Sequence, residues 1–201
     1  KIGNSAFNDC SGIESVILGS GLASTESAFG GCTNLNSVEL HNNSTVSSFK
    51  TIFPTYQTIS SVIIGEGVTE IAERAFCECS SLESIEISNT VRSIGNYAFS
   101  DCGLKSLDIS DSVESIGDFA FSNMFSLTSV NFSNNVASIG NGAFHSAGVT
   151  SITLPDSVIS IGDEAFYSCS NLESVTFNGT REPQHGENVF SLCTNLEDVS
   201  V

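Results

Sequence analysis

The sequence predicts an α/β repeat solenoid in which about nine repeats, or rungs, of 22–24 residues stack into one array. Three observations predict it. A phenylalanine recurs at a nearly fixed spacing, a short cassette of alternating apolar and polar residues recurs with it, and a second apolar motif follows each cassette. Because a fixed period of about 20–50 residues is the signature of stacked repeats, we expect residues 1–201 to form a single array.

The recurring phenylalanine marks the phase of every rung. Successive copies lie 22 to 24 residues apart, and alanine precedes the phenylalanine in seven of the nine. Because residues at the same phase of a solenoid lie over one another, we expect these rings to form a structural spine. The nine positions are Phe7, Phe29, Phe53, Phe76, Phe99, Phe121, Phe144, Phe166 and Phe190.

The cassette predicts a short β-strand. In residues 82–87 the pattern L-x-x-I-x-I ends in apolar–polar alternation, which is typical of a strand with one buried face. The cassette recurs in every rung, from residues 13–18 to residues 196–201. Strands at matching phases predict a parallel β-sheet along one face of the array.

The second motif, V-x-x-I-G-x-x-A-F-x-x-C, predicts the return from one strand to the next. Its copy at residues 91–102 has apolar spacings of three and four, which favour a turn or two of 3₁₀ or α-helix. The glycine, Gly95 in this copy, is expected to adopt a backbone angle that other residues resist.

Two rungs depart from the pattern. Residues 42–57 lack the Ile-Gly pair and place Tyr56 where cysteine usually stands, which predicts a local bulge or, alternatively, part of a binding surface. Residues 179–188 replace the second motif with a polar loop containing Pro183. The chain starts and stops inside a rung and shows no signal peptide or cap, so we expect a piece of a longer protein.

Both motifs together resemble the BspA-like (Treponema pallidum type) leucine-rich repeats. Residues 82–102, LESIEISNTVRSIGNYAFSDC, and residues 149–169, VTSITLPDSVISIGDEAFYSC, are similar to that family's consensus almost letter for letter. The resemblance covers essentially the whole chain. It implies a right-handed leucine-rich-repeat solenoid with a parallel β-sheet on one face and short 3₁₀ or helical returns on the other.

The same resemblance implies a location and a general function. Members of the family are mostly surface or secreted proteins of mucosal anaerobic bacteria and parasitic protists, associated with adhesion to host matrix, host cells or other microbes. It therefore implies a cell-surface or secreted protein, and it brings no catalytic motif.

The charge balance restricts the class of partner. The chain has 23 Asp and Glu against six Lys and Arg, and a field of that sign repels phosphate. We therefore expect no nucleic-acid partner, and we expect basic proteins or divalent cations to be favoured, with plain solubility as the alternative explanation. No apolar run approaches the roughly 20 residues that cross a bilayer, so we expect no membrane insertion in this segment.

Alternation along the cassette strands predicts which side chains point outward. One outward column is almost entirely serine. Because the same residue recurs from rung to rung, this column cannot make one rung a more selective binding site than another. The next column varies and includes Glu86 and Asp108 on successive rungs, where like charges about 5 Å apart repel unless a cation or basic partner lies between them. This column is the candidate binding face, with unselected solvated variation as the alternative: Ile17, Glu39, Ile63, Glu86, Asp108 and Asn131.

Cysteine and histidine give no sign of catalysis or metal binding. Six of the seven cysteines stand three residues after the marker phenylalanine, in a slot that also accepts Tyr56, Met124 and Ala147, so we expect buried thiols rather than disulfides or a zinc site. His41, His145 and His185 lie at different phases. We therefore expect a protein that is not an enzyme and has no cofactor and no metal.

These patterns lead to one functional hypothesis and two alternatives. The hypothesis is a non-catalytic surface array that binds protein or glycan partners, by analogy with the family. The first alternative is a structural spacer in a larger surface protein. The second is an array that associates head to tail with copies of itself.

Overall fold

The computed structural model describes residues 2–19, 26–41, 45–46, 49–179 and 181–200, with the backbone alone at residues 45–46. Each cassette contributes one strand to the strand face, and the strands that pair on this face are parallel and in register, so that Ser15 lies opposite Ser37. The strands of this face are β1 (Ser15–Leu18), β2 (Ser37–Leu40), β4 (Ser61–Ile64), β6 (Ser84–Ile87), β8 (Ser106–Asp108), β10 (Ser129–Asn131), β12 (Ser151–Leu154), β14 (Ser174–Phe177) and β16 (Asp198–Ser200).

Seven two-residue strands form a second, continuous parallel sheet, the return sheet. In the regular rungs they come from the V-x-x-I part of the second motif, and within the described residues seven turns of the solenoid carry a strand of each kind. The strands are β3 (Thr45–Val46), β5 (Glu70–Ile71), β7 (Ser93–Ile94), β9 (Ser115–Ile116), β11 (Ser138–Ile139), β13 (Ser160–Ile161) and β15 (Gln184–His185).

The prediction of a stacked solenoid with a parallel sheet on one face is confirmed. The predicted helical returns are wrong for the regular rungs. Within the described residues, helix is confined to α1 (Phe49–Ile52) and a 3₁₀ turn (Tyr56–Thr58), which both belong to the first irregular rung. The regular returns consist of the short strands followed by a series of turns.

Backbone hydrogen bonds explain why the regular returns are not helical. The amide of Phe99 donates to the carbonyl of Ala120 in the next rung at 2.8 Å, and the amides of Tyr97 and Asp101 also donate into that rung. Tyr97 and Asp101 have φ angles of 56° and 61°, in the left-handed region. A left-handed residue two positions before and after every marker phenylalanine except Phe53 interrupts a right-handed helix, so the donors bond between rungs instead.

The marker phenylalanines stack ring on ring. At seven of the eight junctions the centroids of neighbouring marker rings are 5.1–5.4 Å apart. At the remaining junction Phe49 of α1 lies between Phe53 and Phe76, with centroid distances of 4.8 and 4.7 Å. The six rings from Phe53 to Phe166 have no exposed surface, whereas Phe7 is 38% exposed.

Both irregular rungs continue the array. In the first, α1 places the extra ring of Phe49 in the core, and residues 42–44 and 47–48 lie outside the described residues. In the second, the predicted polar loop contains β15, where Gln184 pairs with Ser160, and Pro183 is buried. Residue 180 lies outside the described part of the chain.

Position 95 requires glycine because two rungs approach each other closely there. The expectation that its backbone angle requires glycine is wrong. Its φ is not positive. A Cβ atom added to it would lie 2.6 Å from the amide nitrogen of Glu73 in the preceding rung. Gly117 and Gly140 repeat this arrangement in the next two rungs, so any larger side chain forces the backbones apart.

The residue after this glycine forms a ladder of side-chain hydrogen bonds. The Oδ1 atom of Asn96 accepts the amide of Asp118 at 2.8 Å, and Oδ1 of Asp118 accepts the amide of Asn141 at 2.7 Å. Oδ1 of Asn141 in turn accepts the amide of Asp163 at 2.9 Å. Asparagine and aspartate alternate in this slot because each offers an acceptor oxygen on a short side chain.

The cysteine slot is a packing position with a hydrogen bond. The buried members are Cys32, Cys79, Cys102 and Cys169, whereas Cys10 is exposed and Cys193 is half-buried; all seven cysteines are free. The Sγ atom of Cys102 donates to the carbonyl of Phe76 in the preceding rung at 3.0 Å. A hydrogen bond with the Cys79 thiol, together with burial, raises the pKa of the Cys102 thiol, as expected for an unreactive thiol.

The strand face is divided into three sheets, β1-β2-β4-β6, β8-β10 and β12-β14-β16. The first break lies between β6 and β8, and the second lies between β10 and β12. At each break the turn before the cassette is one residue shorter than in the other rungs. The shortened turn contains Gly103 at the first break and Gly148 at the second. A Cβ atom on Gly103 would lie 2.1 Å from the carbonyl oxygen of Ser80, and one on Gly148 would lie 2.2 Å from that of Phe125.

Candidate binding face

The varied column of the strand face lies outward, as the alternation of the cassette requires. Ile17 is 70% exposed, Glu39 and Ile63 are half-buried, and Glu86 is exposed. Register pairs each of these four residues with the next along the sheet. One continuous stretch of β-sheet therefore presents two apolar and two acidic side chains in alternation.

The rest of the varied column lies beyond the first break. Asp108 and Asn131 are exposed and pair in register, and the Nδ2 atom of Asn131 donates to the Oδ1 atom of Asp108. Glu86 and Asp108 occupy neighbouring rungs without strand pairing between them. The structure thus brings the six predicted residues onto one surface but separates them into two groups.

A depression of about 380 Å³ opens at the first break. Its apolar part includes Ile85, Ile87 and Ile109, and carboxylates come from Glu86, Asp108 and Asp111. Three carboxylates around apolar side chains can hold a cationic group whose alkyl stem rests on the isoleucines. We call this feature the acidic depression.

Sequence reasoning missed Asp111 and the break itself. Asp111 belongs to the turn after β8, outside the columns that alternation defines. The signal was present in the spacing, because the step from Phe99 to Phe121 is 22 residues and Gly103 directly precedes the cassette. A missing residue at that point shortens the turn and displaces the following strand.

The serine column is exposed or half-buried along the whole strand face. Ser15, Ser37, Ser61 and Ser84 pair in register from rung to rung. A uniform hydroxyl column supplies the same hydrogen-bonding groups everywhere, so any selectivity must come from the varied column and from the two breaks.

Surface cations leave the acidic excess largely uncompensated. Lys50 pairs with Glu78 at 2.7 Å, Arg74 with Glu73 at 3.5 Å and Arg92 with Glu114 at 3.6 Å. The hydrogen bond and charge of the Lys50 ammonium lower the pKa of the Glu78 carboxyl. With a net charge of −17, the surface attracts positively charged partners at low ionic strength.

The histidines take local roles. His41 contacts the carboxylate of Glu39, and the ring of His145 stacks on Tyr167 with centroids 5.0 Å apart. His185 lies 3.6 Å from Glu182. Across the described ranges, no group of three or more His, Cys, Asp or Glu side chains is arranged to hold a metal ion. Among the helices described, none is long and apolar enough to cross a membrane.

Short parallel strands, a stacked ring column and rung-to-rung hydrogen bonds define a leucine-rich-repeat solenoid. The family model described as BspA type leucine rich repeat region (6 copies) matches residues 1–124, 50–147 and 114–201. The chain therefore belongs to the BspA-type leucine-rich-repeat family. Such arrays are non-enzymatic folds, and the family supports a repeat domain for interaction with proteins.

The solved structures that are similar to this chain include two with TM-scores above 0.5. A leucine-rich repeat protein from Bacteroides ovatus ATCC 8483 is 26% identical with a TM-score of 0.71, and the match covers 98% of this chain and 57% of that one. The leucine-rich repeat protein of T. pallidum is 29% identical with a TM-score of 0.61, over 69% of this chain and 78% of that one. The chain thus spans a little over half of the B. ovatus structure. No curated protein sequence matches it.

Proposed function

We propose that this array is a non-catalytic adhesive surface, which displays the strand face to protein or glycan partners on or outside a cell. The observation that carries the proposal is the acidic depression, which Glu86, Asp108 and Asp111 line together with isoleucine residues. Family membership supports an extracellular location and adhesion to host matrix, host cells or other microbes. A rigid array suits this task because its side chains are held in place before binding.

The protein partner that fits the acidic depression is basic. Lysine or arginine side chains reach carboxylates with their charged ends and cover the isoleucines with their alkyl stems. Complementary charge also raises the association rate, and this effect decreases with added salt. Adhesion through this site should therefore weaken at high ionic strength.

The test is binding of the folded chain to immobilised matrix proteins and to host cells. The variant Glu86→Lys/Asp108→Lys should lose saturable binding, because it reverses charge at the acidic depression. The control Glu14→Lys/Asp156→Lys makes the same change in net charge at exposed positions elsewhere and should keep binding. Equal binding by both variants, or none by the parent chain, would contradict the proposal.

A structural spacer is the second candidate. The uniform serine column favours it, because identical rungs suit a stalk that holds another domain away from a surface. A spacer binds no partner through its strand face, so the same experiment separates the two candidates. Head-to-tail association of copies is a third candidate, and sedimentation at increasing concentration tests it by a rise in apparent mass.

A further inference from the structure

The second break carries a site with different chemistry from the first. β10 pairs with β8 and β12 pairs with β14, so the sheet is interrupted between β10 and β12. Near the start of these strands the amide of Thr150 donates to the carbonyl of Thr128 at 3.2 Å. Beyond their ends stands Pro155, which has no amide to donate, whereas Asn178 one rung later donates to Leu154 at 2.9 Å.

A depression of about 300 Å³ opens at this break. Its polar side chains are carboxamides and hydroxyls, from Asn131, Asn134, Asn178, Ser151 and Thr153. None of its lining residues is ionisable, in a chain whose net charge is −17. We call this feature the neutral depression.

Two rigid apolar groups complete the neutral depression. Phe132 packs edge-on against the buried ring of Phe144, with centroids 5.6 Å apart, and this contact fixes its orientation. Pro155 also lines the depression, although most of this residue is buried. A flat apolar surface beside several amide and hydroxyl groups matches a ligand that has one C–H face and many hydroxyls.

A buried hydroxyl next to the neutral depression is unpaired. In earlier rungs the equivalent serines bond to the preceding rung, as Ser110 Oγ donates to the carbonyl of Ser88 at 3.1 Å. Ser133 is 6% exposed, and its Oγ atom has no hydrogen-bond partner. It stands between Phe132 and Asn134, two lining residues, and an unpaired buried hydroxyl destabilises the fold. Few buried polar groups in folded proteins lack a partner, so Ser133 departs from the arrangement of the earlier rungs.

We infer that the neutral depression binds a neutral pyranose unit of a glycan. Sugar hydroxyls both donate and accept, as do the carboxamides of asparagine and the hydroxyls of serine and threonine. An anionic sugar is disfavoured, because no lining residue is a cation and the net charge of −17 repels it. The inference deepens the proposed display function and rests on it, while using residues outside the acidic depression.

The experiment is a titration of the ¹⁵N-labelled chain with neutral oligosaccharides of gluco, galacto, manno and N-acetylhexosamine type. The expected result is saturable, selective shifts at Asn131, Thr153 and Asn178 with at least one of these sugars. The variant Asn134→Ala/Asn178→Ala, which leaves the hydrogen bond from Asn131 to Asp108 intact, should weaken that binding about thirtyfold, which corresponds to about 2 kcal/mol for two hydrogen-bonding groups. The matched control Asn34→Ala/Asn195→Ala changes two exposed asparagines elsewhere and should bind like the parent chain.

The outcomes separate this inference from the proposed function. Shifts confined to other surfaces, or none with any sugar, would overturn the glycan site even if basic proteins still bind at the acidic depression. Equal loss in the double variant and its control would also overturn it. If neither sugars nor proteins bind the folded chain, both proposals fail, and the spacer and the head-to-tail array remain.

Discussion

At the residue scale, the motif is explained by contacts with the neighbouring rung. Gly95 and its equivalents lie against the backbone of the preceding rung, and the Asn or Asp that follows accepts an amide from the next one. Tyr97 adopts a left-handed angle, which costs an L-residue about 1–2 kcal/mol, because its amide then reaches the next rung. The residue types at these three motif positions are therefore explained by contacts with residues about 22 positions away in the sequence.

Replacing Gly117 by alanine tests the close approach. A Cβ atom there would lie 2.7 Å from the backbone of Gly95 and of Asn96, which cannot move independently of their rung. We expect the free energy of unfolding to fall by about 1–3 kcal/mol, as for other overpacking substitutions. Urea denaturation measures it, with Gly12→Ala as the control because no atom lies within 4 Å of a Cβ at that position. The same unfolding midpoint in both variants would show that the contact is easily relieved.

At the element scale, the length of one turn determines where the strand face is continuous. Regular rungs donate an amide to the preceding rung just before the strand, as Glu83 does to Ser60 at 2.8 Å. The shortened turn at Gly103 moves β8 out of pairing with β6, while β7 and β9 of the return sheet stay paired. One deleted residue therefore opens a depression on one face without interrupting the other.

Hydrogen exchange tests the first break directly. The amides of Glu83 and Thr128 donate to the preceding rung at 2.8 and 2.9 Å, whereas the Lys105 amide, at the equivalent position after the shortened turn, makes no such bond. We expect the Lys105 amide to exchange faster than those two under native conditions. NMR-detected exchange gives the three rates in one experiment, and the two paired amides are the internal controls. Protection of Lys105 equal to theirs would mean that the sheet is continuous in solution.

At the scale of the whole molecule, stability depends on stacking between rungs. Phe121 has no exposed surface and stacks on Phe99 and Phe144 at centroid distances of 5.4 and 5.1 Å. Because each rung contacts only its neighbours, a defect in the middle weakens two interfaces, while a defect at Phe7 weakens only the one with Phe29.

Phe121→Ala should therefore lower the free energy of unfolding by about 3–5 kcal/mol, the usual cost of deleting a buried ring. Phe7→Ala, at a ring that is 38% exposed, should cost clearly less. Chemical denaturation followed by circular dichroism measures both. Equal losses of unfolding free energy in the two variants would contradict this prediction, because they would show that the number of neighbouring rungs does not affect what a ring contributes to stability.

Much of the architecture could be predicted from the sequence because a solenoid repeats its contacts at a fixed spacing. The period of the marker phenylalanines places one rung over the next, and alternation in residues 82–87 identifies the outward column. The return was misjudged because apolar spacings of three and four occur both in helices and in a chain of turns. Only the partner of each amide distinguishes the two, and the partner of Phe99, Ala120, lies in another rung.

The sequence by itself determined the family, the stack and the surface on which the varied residues stand, because these depend on periodicity alone. Tertiary structure alone decided how Glu86, Asp108 and Asp111 meet around one depression and how Asn131 and Asn178 meet around another. The physical reason is that both depressions come from a break in strand pairing. The spacing shows that a turn is one residue shorter, but the break depends on how that turn packs against the preceding rung, which the spacing alone does not give.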